Sequence, residues 1–291
     1  MKKILAILFT MITISAHAAE KLTVIQGESP GSTNLPMQEI VIKELKKHYD
    51  INLITVPSCD KAQQIYENFS DGPVVYMHTA VYQWLREKEK NTCGVSITEK
   101  NIWLNVQSLW AICTASPRIA SYIDFKKSTK FGTMIPNEIN NIQIRQMNEL
   151  GGLNLHAVPY NGGGGLVLTG ILNGEIDYGP VAISRVHAAE KDHTLSCFAK
   201  FGDGNSEFPS IKSYIPNFKF GDYATTFVGA SKNFNEEQLN ALRNIVQNNI
   251  KPDTQMGLEL RDGSWDVVKG DARVIFEKYE FQKNLFIEAV K

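Results

Sequence analysis

Apolar residues along this chain recur with two alternating periods. Residues 21–27 (KLTVIQG) are rich in branched side chains and predict a buried strand. Turn-forming residues follow at 29–34. Leu35, Ile40, Val41 and Leu45 then recur at helical spacing up to His48, with Lys43, Lys46 and Lys47 on the polar face. Residues 51–56 (INLITV) predict a second strand, 61–68 a helix, Asp71-Gly72-Pro73 a turn, and 74–79 (VVYMHT) a third strand. A strand-helix-strand-helix rhythm argues for an α/β domain with a mostly parallel sheet.

The rhythm restarts in the middle of the chain. Strands are expected at 131–134, 155–160, 176–181 and 195–201, with helices at 139–150, 165–172 and 184–191. Residues 224–231 (ATTFVGAS) predict another strand. Asn235-Glu236-Glu237-Gln238 has the form of a capping box, opening a helix with Leu239, Leu242 and Ile245 on one face. Residues 272–290 predict a last, aromatic-rich helix. No repeat and no low-complexity linker divides the chain, so two α/β lobes joined by ordinary strands are expected.

Composition narrows the class. The 291 residues are 43% apolar and 21% charged, an ordinary globular balance that excludes a disordered or fibrous chain. Thirty basic against 31 acidic side chains argue against a nucleic-acid partner. At the N-terminus Lys2 and Lys3 precede a mostly apolar run, 4–15, and then Ala16-His17-Ala18. That is the pattern of a cleavable signal peptide over 1–18. No cysteine precedes Cys59, so no lipid attachment follows cleavage, and no later apolar run is long enough to span a bilayer. An exported, periplasmic protein is expected.

Export places Cys59, Cys93, Cys113 and Cys197 in an oxidising compartment, where disulfides persist. Three complete pairings are open. Cys59 and Cys93 sit in loop-like surroundings, which favours a bridge between them; Cys113 and Cys197 lie in apolar strands and read as core thiols. No Cys-x-x-Cys and no His near a Cys pair at ligand spacing is present, so no metal site is expected.

Candidate chemistry concentrates at strand ends. In Val158-Pro159-Tyr160-Asn161-Gly162-Gly163-Gly164-Gly165-Leu166, four glycines follow a strand and open a helix. Glycine lets backbone approach a ligand, and a helix N-terminus offers free N–H groups to an anion. Neither the dinucleotide nor the phosphate-loop fingerprint fits. A tight strand-to-helix turn is the simpler alternative, yet four glycines exceed what a turn needs. Gly31, Ser32, Thr33 and Asn34 repeat the geometry after the first strand, with helix N-capping as the alternative. His78 and Thr79 end the third strand, and ligands of open α/β sheets bind beyond such ends. Asp177 either touches ligand or orients a loop. His156, Trp103, Trp110 and Trp265 read as packing residues. Catalytic motifs such as Gly-x-Ser-x-Gly or His-Glu-x-x-His are absent, and no cofactor is implied.

Together these segments resemble one family. Residues 155–164 (LHAVPYNGGG) are similar to the "H-V-P-Y-x-G-G" segment of the substrate-binding proteins of tripartite tricarboxylate transporters. Residues 172–177 (LNGEID) resemble that family's "L-x-G-x-V-D", and Ser70-Asp71-Gly72 its "P-D-G". FPSI at 208–211 with IPNF at 215–218 resembles its "V-P-T…G-L-P-G-F", and PGSTN at 30–34 its first ligand loop, "P-G-G-x-x-D". The five segments follow the family's order over about 21–285. Departures are Ser32 in place of a second glycine, Asn34 where an acid is common, Pro57-Ser58-Cys59-Asp60 in place of a glycine-rich run, and Val181 where a polar residue is frequent.

The resemblance implies a two-lobed periplasmic binding protein, a type II Venus-flytrap fold with two crossing hinge strands near 109–116 and 224–231. Lobe one would be 19–112 with 230–291, and lobe two 113–229. It implies capture of a small organic acid by Gly31, Ser32, Thr33, Asn34, His78, Thr79, Asn161, Gly162, Gly163, Gly164, Asp177 and Pro180. A monomer would deliver the solute to membrane permease subunits. Two other readings stay open at this stage: a ligand sensor for a membrane kinase, and an exported enzyme on a similar scaffold, for which His78 is the one candidate base.

Overall fold

The computed structural model describes residues 19–28, 32, 34–80, 84, 93–134, 139–160, 164–202, 206–219 and 225–289. The expected signal peptide, 1–18, lies outside them. Strand β1 (Glu20–Gln26), helix α1 (Leu35–Leu45), β2 (Tyr49–Thr55), α2 (Cys59–Asn68) and β3 (Val74–Thr79) follow the predicted order. β1 runs parallel to both β2 and β3 and lies between them. Parallel neighbours need a crossover, and α1 and α2 supply it.

The sheet is mixed rather than mostly parallel. β4 (Ile102–Ser108), β10 (Thr225–Lys232) and β11 (Trp265–Val267) complete a six-stranded sheet, β11-β4-β10-β3-β1-β2. β10 runs antiparallel to both β3 and β4, and β11 runs antiparallel to β4. Residues 109–224 separate β4 from β10, so no crossover helix ties its direction to that of β3. Strand alternation divides the sheet into two faces. Leu22, Val24, Val75 and Met77 pack with α1, α7 (Glu236–Asn249) and α8 (Gln255–Asp262). Ile25, Val74, Tyr76, Val228 and Ala230 lie in a second cluster with residues of α2 and α9 (Ala272–Ala289). Helix α7 opens with the expected capping box, in which Asn235 and Gln238 cap each other's backbone N–H.

The second lobe is built on shorter strands. β5 (Trp110–Ala115) pairs antiparallel with β8 (Gly179–Ala182) and β9 (Leu195–Phe201). β6 (Lys130–Thr133) and β7 (His156–Pro159) form a parallel pair, joined to the β8 side by a bridge between Phe131 and Tyr178. Between these strands lie α3 (Tyr122–Phe125), α4 (Ile139–Gly151), α5 (Gly164–Leu172) and α6 (Ile183–Lys191). The chain passes from one sheet to the other at Leu109, the single residue between β4 and β5. The expected boundary at 112/113 therefore falls inside β5, and that at 229/230 inside β10. Each strand stays whole in one sheet because its backbone groups are paired along one ladder.

Both disulfides form. Cys59–Cys93 is the favoured bridge; Cys113–Cys197 corrects the reading of two core thiols. Cys113 on β5 and Cys197 on β9 are direct cross-strand partners, a proximity that strand pairing creates and spacing cannot reveal. Trp103, Trp110 and Trp265 are buried as expected. His156 is exposed, contrary to the packing expectation, because β7 pairs on one side only. Among the described residues no helix is long and apolar enough to cross a membrane.

Candidate functional site

The first candidate loop leaves β1 at Gln26 and enters α1 at Leu35. Asn34 holds the N-cap position without a capping side-chain bond, and Pro lies in the first turn. Its amide is turned elsewhere: Nδ2 donates to Glu28 Oε1 at 3.1 Å and, at a long 3.4 Å, to Thr79 Oγ1. Ser32 Oγ donates to Glu28 Oε2 at 2.8 Å and accepts from the Asn34 N–H at 3.2 Å. The end of β1, the start of α1 and the last residue of β3 thus converge on one polar cluster. This answers the capping alternative for Asn34, whose side chain is spent on the cluster. Gly31 and Thr33 lie outside the described residues.

Glu28 is the residue that sequence reading missed. Burial raises its carboxyl above the usual range, opposed by the hydrogen bonds from Asn34 and Ser32. The available signal was weak, an acid two residues beyond a strand in a run of turn residues.

His78 and Thr79 are adjacent, so alternation sends their side chains to opposite faces. Thr79, 7% exposed, joins the cluster with Asn34. His78, 2% exposed, stacks on Tyr76 with ring centroids 5.0 Å apart. Its Nδ1 lies 3.2 Å from the Thr79 carbonyl, and its Nε2 has no partner. Burial lowers the imidazole from 6.5 to about 4, against the smaller opposite effect of that carbonyl. The structure therefore brings Thr79, and not His78, to Asn34.

In the second lobe Gly164 is buried as the first residue of α5. Asn161, Gly162 and Gly163 lie outside the described residues. Tyr160, just before that segment, packs on Gly170: a Cβ there would stand 2.2 Å from the Tyr160 hydroxyl, which donates to Glu175 at 3.0 Å. Pro180 is buried in β8 opposite Ile112. Thr133 ends β6 in register with Pro159, fully buried, with no partner for its hydroxyl. It is a second residue that sequence reading missed.

Asp177 sits elsewhere. It accepts from the N–H groups of Thr129 and Lys130, both at 3.4 Å, and pairs with Arg118 at 3.5 Å. The two N–H groups lie at the start of β6, the opposite end from Thr133. The observed contacts are those of a loop-orienting residue, and Asp177 lies in the turn before β8 rather than in the strand. No group of His, Cys, Asp and Glu among the described residues could hold a metal ion.

No protein-family model matches this chain, and no curated protein matches it by sequence. Solved structures do. A TctC solute-binding protein from Polaromonas superposes with a TM-score of 0.63 at 16% identity, covering 94% of this chain and 99% of that one. Rpa4515 of R. palustris, solved with adipate, gives 0.73 at 14% identity over 93% and 96%. MatC of Rhodopseudomonas palustris, solved with malate, gives 0.59 at 14% identity over 91% and 98%. Over nearly its whole described length the chain has the two-lobed α/β fold of solute-binding proteins.

Proposed function

We propose that this chain is an exported, periplasmic solute-binding protein that captures a small organic acid between its lobes and delivers it to a membrane transporter of the tripartite tricarboxylate type. The observation that carries the reading is the convergence of Ser32, Asn34 and Thr79 beyond the ends of β1 and β3. This is where open α/β sheets take ligands. Adipate and malate, named with two of the solved structures of this fold, point to the solute class. In the second lobe, the glycines at 162–164 of the sequence and the N-terminus of α5 suit a carboxylate through backbone N–H groups. Gly31, Thr33, Asn161, Gly162 and Gly163 complete the proposed contact set from sequence, with Gly164 and Pro180 beside them.

The lobes are proposed to close on the solute because it binds the closed state better. Binding without catalysis is proposed as well. His78, the candidate base, is buried against Tyr76 and held neutral near pH 7, on the face away from Thr79.

A thermal-shift screen of the refolded chain lacking 1–18, against mono-, di- and tricarboxylates, tests the proposal. Ligand at 100 times its Kd adds about 2.7 kcal/mol, a rise of roughly 5 °C or more at this size. One acid giving that shift, lost in Gly163→Val, is the expected result. No shift across the acid panel overturns the carboxylate reading.

A further inference from the structure

We propose that the solute carries an ammonium group as well as a carboxylate, and that Glu28 receives the ammonium. The inference rests on the proposed function and specifies its substrate class as an amino acid.

Glu28 is an acidic group poorly matched among the described residues. Ser32 and Asn34 donate one hydrogen bond to each carboxylate oxygen. No Lys, Arg or His among the described residues forms an ion pair with it. A carboxylate has about four acceptor positions, so roughly half remain open. A carboxylate removed from water without a counter-charge is costly unless a partner arrives.

A second observation marks the same place as unfinished. Gln38 lies one helical turn after Asn34, on the same buried face of α1. It is fully buried, and neither its amide oxygen nor its nitrogen has a partner. Gln26, the last residue of β1 and 4% exposed, also has an unpaired Nε2, although its oxygen accepts from Thr55 at 3.2 Å. Buried amides in folded proteins are nearly always paired. Three such atoms, two on the second turn of α1 and one at the end of β1, leave hydrogen-bonding capacity for a polar guest.

The chemistry available selects the guest. Glu28 can only accept while ionised, and the Thr79 hydroxyl and Gln38 oxygen can accept as well. An ammonium has three donors and no acceptor, which is the complement. A second carboxylate placed here would face the charge of Glu28 at short range. The N-terminus of α5 in the other lobe favours the opposite sign. One lobe is thus suited to the cation and the other to the anion.

Calorimetric titration of the ligand-stripped chain with matched pairs decides the matter. L-aspartate against succinate, and L-glutamate against glutarate, differ only by the ammonium group. The expected result is at least tenfold tighter binding of one amino acid than of its partner. Glu28→Gln should erase most of that preference, and Glu28→Asp should restore part of it. Succinate or glutarate binding as tightly as its amino acid, or a preference untouched by Glu28→Gln, overturns the inference and leaves the carboxylate reading standing. If no acid binds but putrescine does, and Glu28→Gln abolishes it, the carboxylate reading fails and the role of Glu28 stands. Silence toward every probe overturns both. The wild-type comparison is decisive even if the variant does not fold.

Discussion

The two lobes build their candidate ligand loops by different means. In the first, a six-stranded sheet brings β1 and β3 side by side, and the loop after β1 is fastened by side chains: Ser32 and Asn34 on Glu28, with Thr79 behind. In the second, β6, β7 and β8 have four residues each, and the loop before α5 is nearly bare of side chains. Its one large residue, Tyr160, packs backwards onto Gly170. A loop built on side chains changes its selectivity with single substitutions. A glycine loop recognises through backbone N–H groups, which every sequence shares. Under the proposed function, solute discrimination would belong to the first lobe and general anion affinity to the second.

The largest test of the comparison uses the disulfides, one on each side. Cys59–Cys93 closes a span of 34 residues and Cys113–Cys197 a span of 84. Replacing either pair by Ser should cost about 2–5 kcal/mol, with the longer span the more costly. Urea melts of both double variants measure this. A larger loss for Cys59–Cys93 would mean that the first lobe depends more on its staple than its broader sheet implies.

Next in size is a pH effect confined to the first lobe. His78 binds its proton near pH 4 when folded and near 6.5 when unfolded. Between those values the unfolded state holds more protons, so stability falls as pH drops through the window, by up to about 3 kcal/mol. Glu28, raised by burial, acts in the opposite sense on acidification. Melting temperatures of the wild type and His78→Gln from pH 7 to 4 should converge as acid is added. Parallel curves would remove His78 as the cause.

Two glycines sharpen the contrast in packing. A Cβ at Gly229 on β10 would stand 2.5 Å from the indole of Trp103, which is fully buried and hydrogen-bonded to the Ala230 carbonyl. Gly229→Ala should cost about 1–3 kcal/mol. Gly170→Ala meets the tip of the half-buried Tyr160, which can swing away, and should cost less. Equal losses by chemical denaturation would show that the second lobe is as tightly packed as the first. The smallest expected effect is Asn235→Ala, which removes the cap of α7 and should cost about 1 kcal/mol in the same assay.

Much of this architecture was legible before any coordinates. Val74–Thr79, Leu195–Phe201 and the start of the last helix at Ala272 coincide with their predicted bounds, because each has a clean apolar pattern or a cap. β4 was missed. Its sequence, IWLNVQS, breaks alternation with Asn105 at a fully buried position. The Asn105 amide is placed there by Ile275 and Gln282 of α9, some 170 residues away. The mixed direction of the sheet was missed for a related reason, since β10 joins β3 and β4 from a distant part of the chain.

At the candidate site, the loops were legible because glycine, serine and asparagine between a strand and a helix carry a local meaning. Chain order alone set the alternation of strands and helices, the two-lobed plan and the strand ends where a ligand would sit. Those features depend on neighbours a few residues apart, whose spacing is written in the chain. Tertiary structure alone decided that Cys113 meets Cys197, that Thr79 and not His78 reaches Asn34, that Asp177 meets the far end of β6, and that the half-buried Glu28 has no cation paired with it among the described residues. Each of these turns on which distant groups share one small volume and how far water is kept out of it. Pairing and desolvation are properties of the packed chain, and no local pattern encodes them.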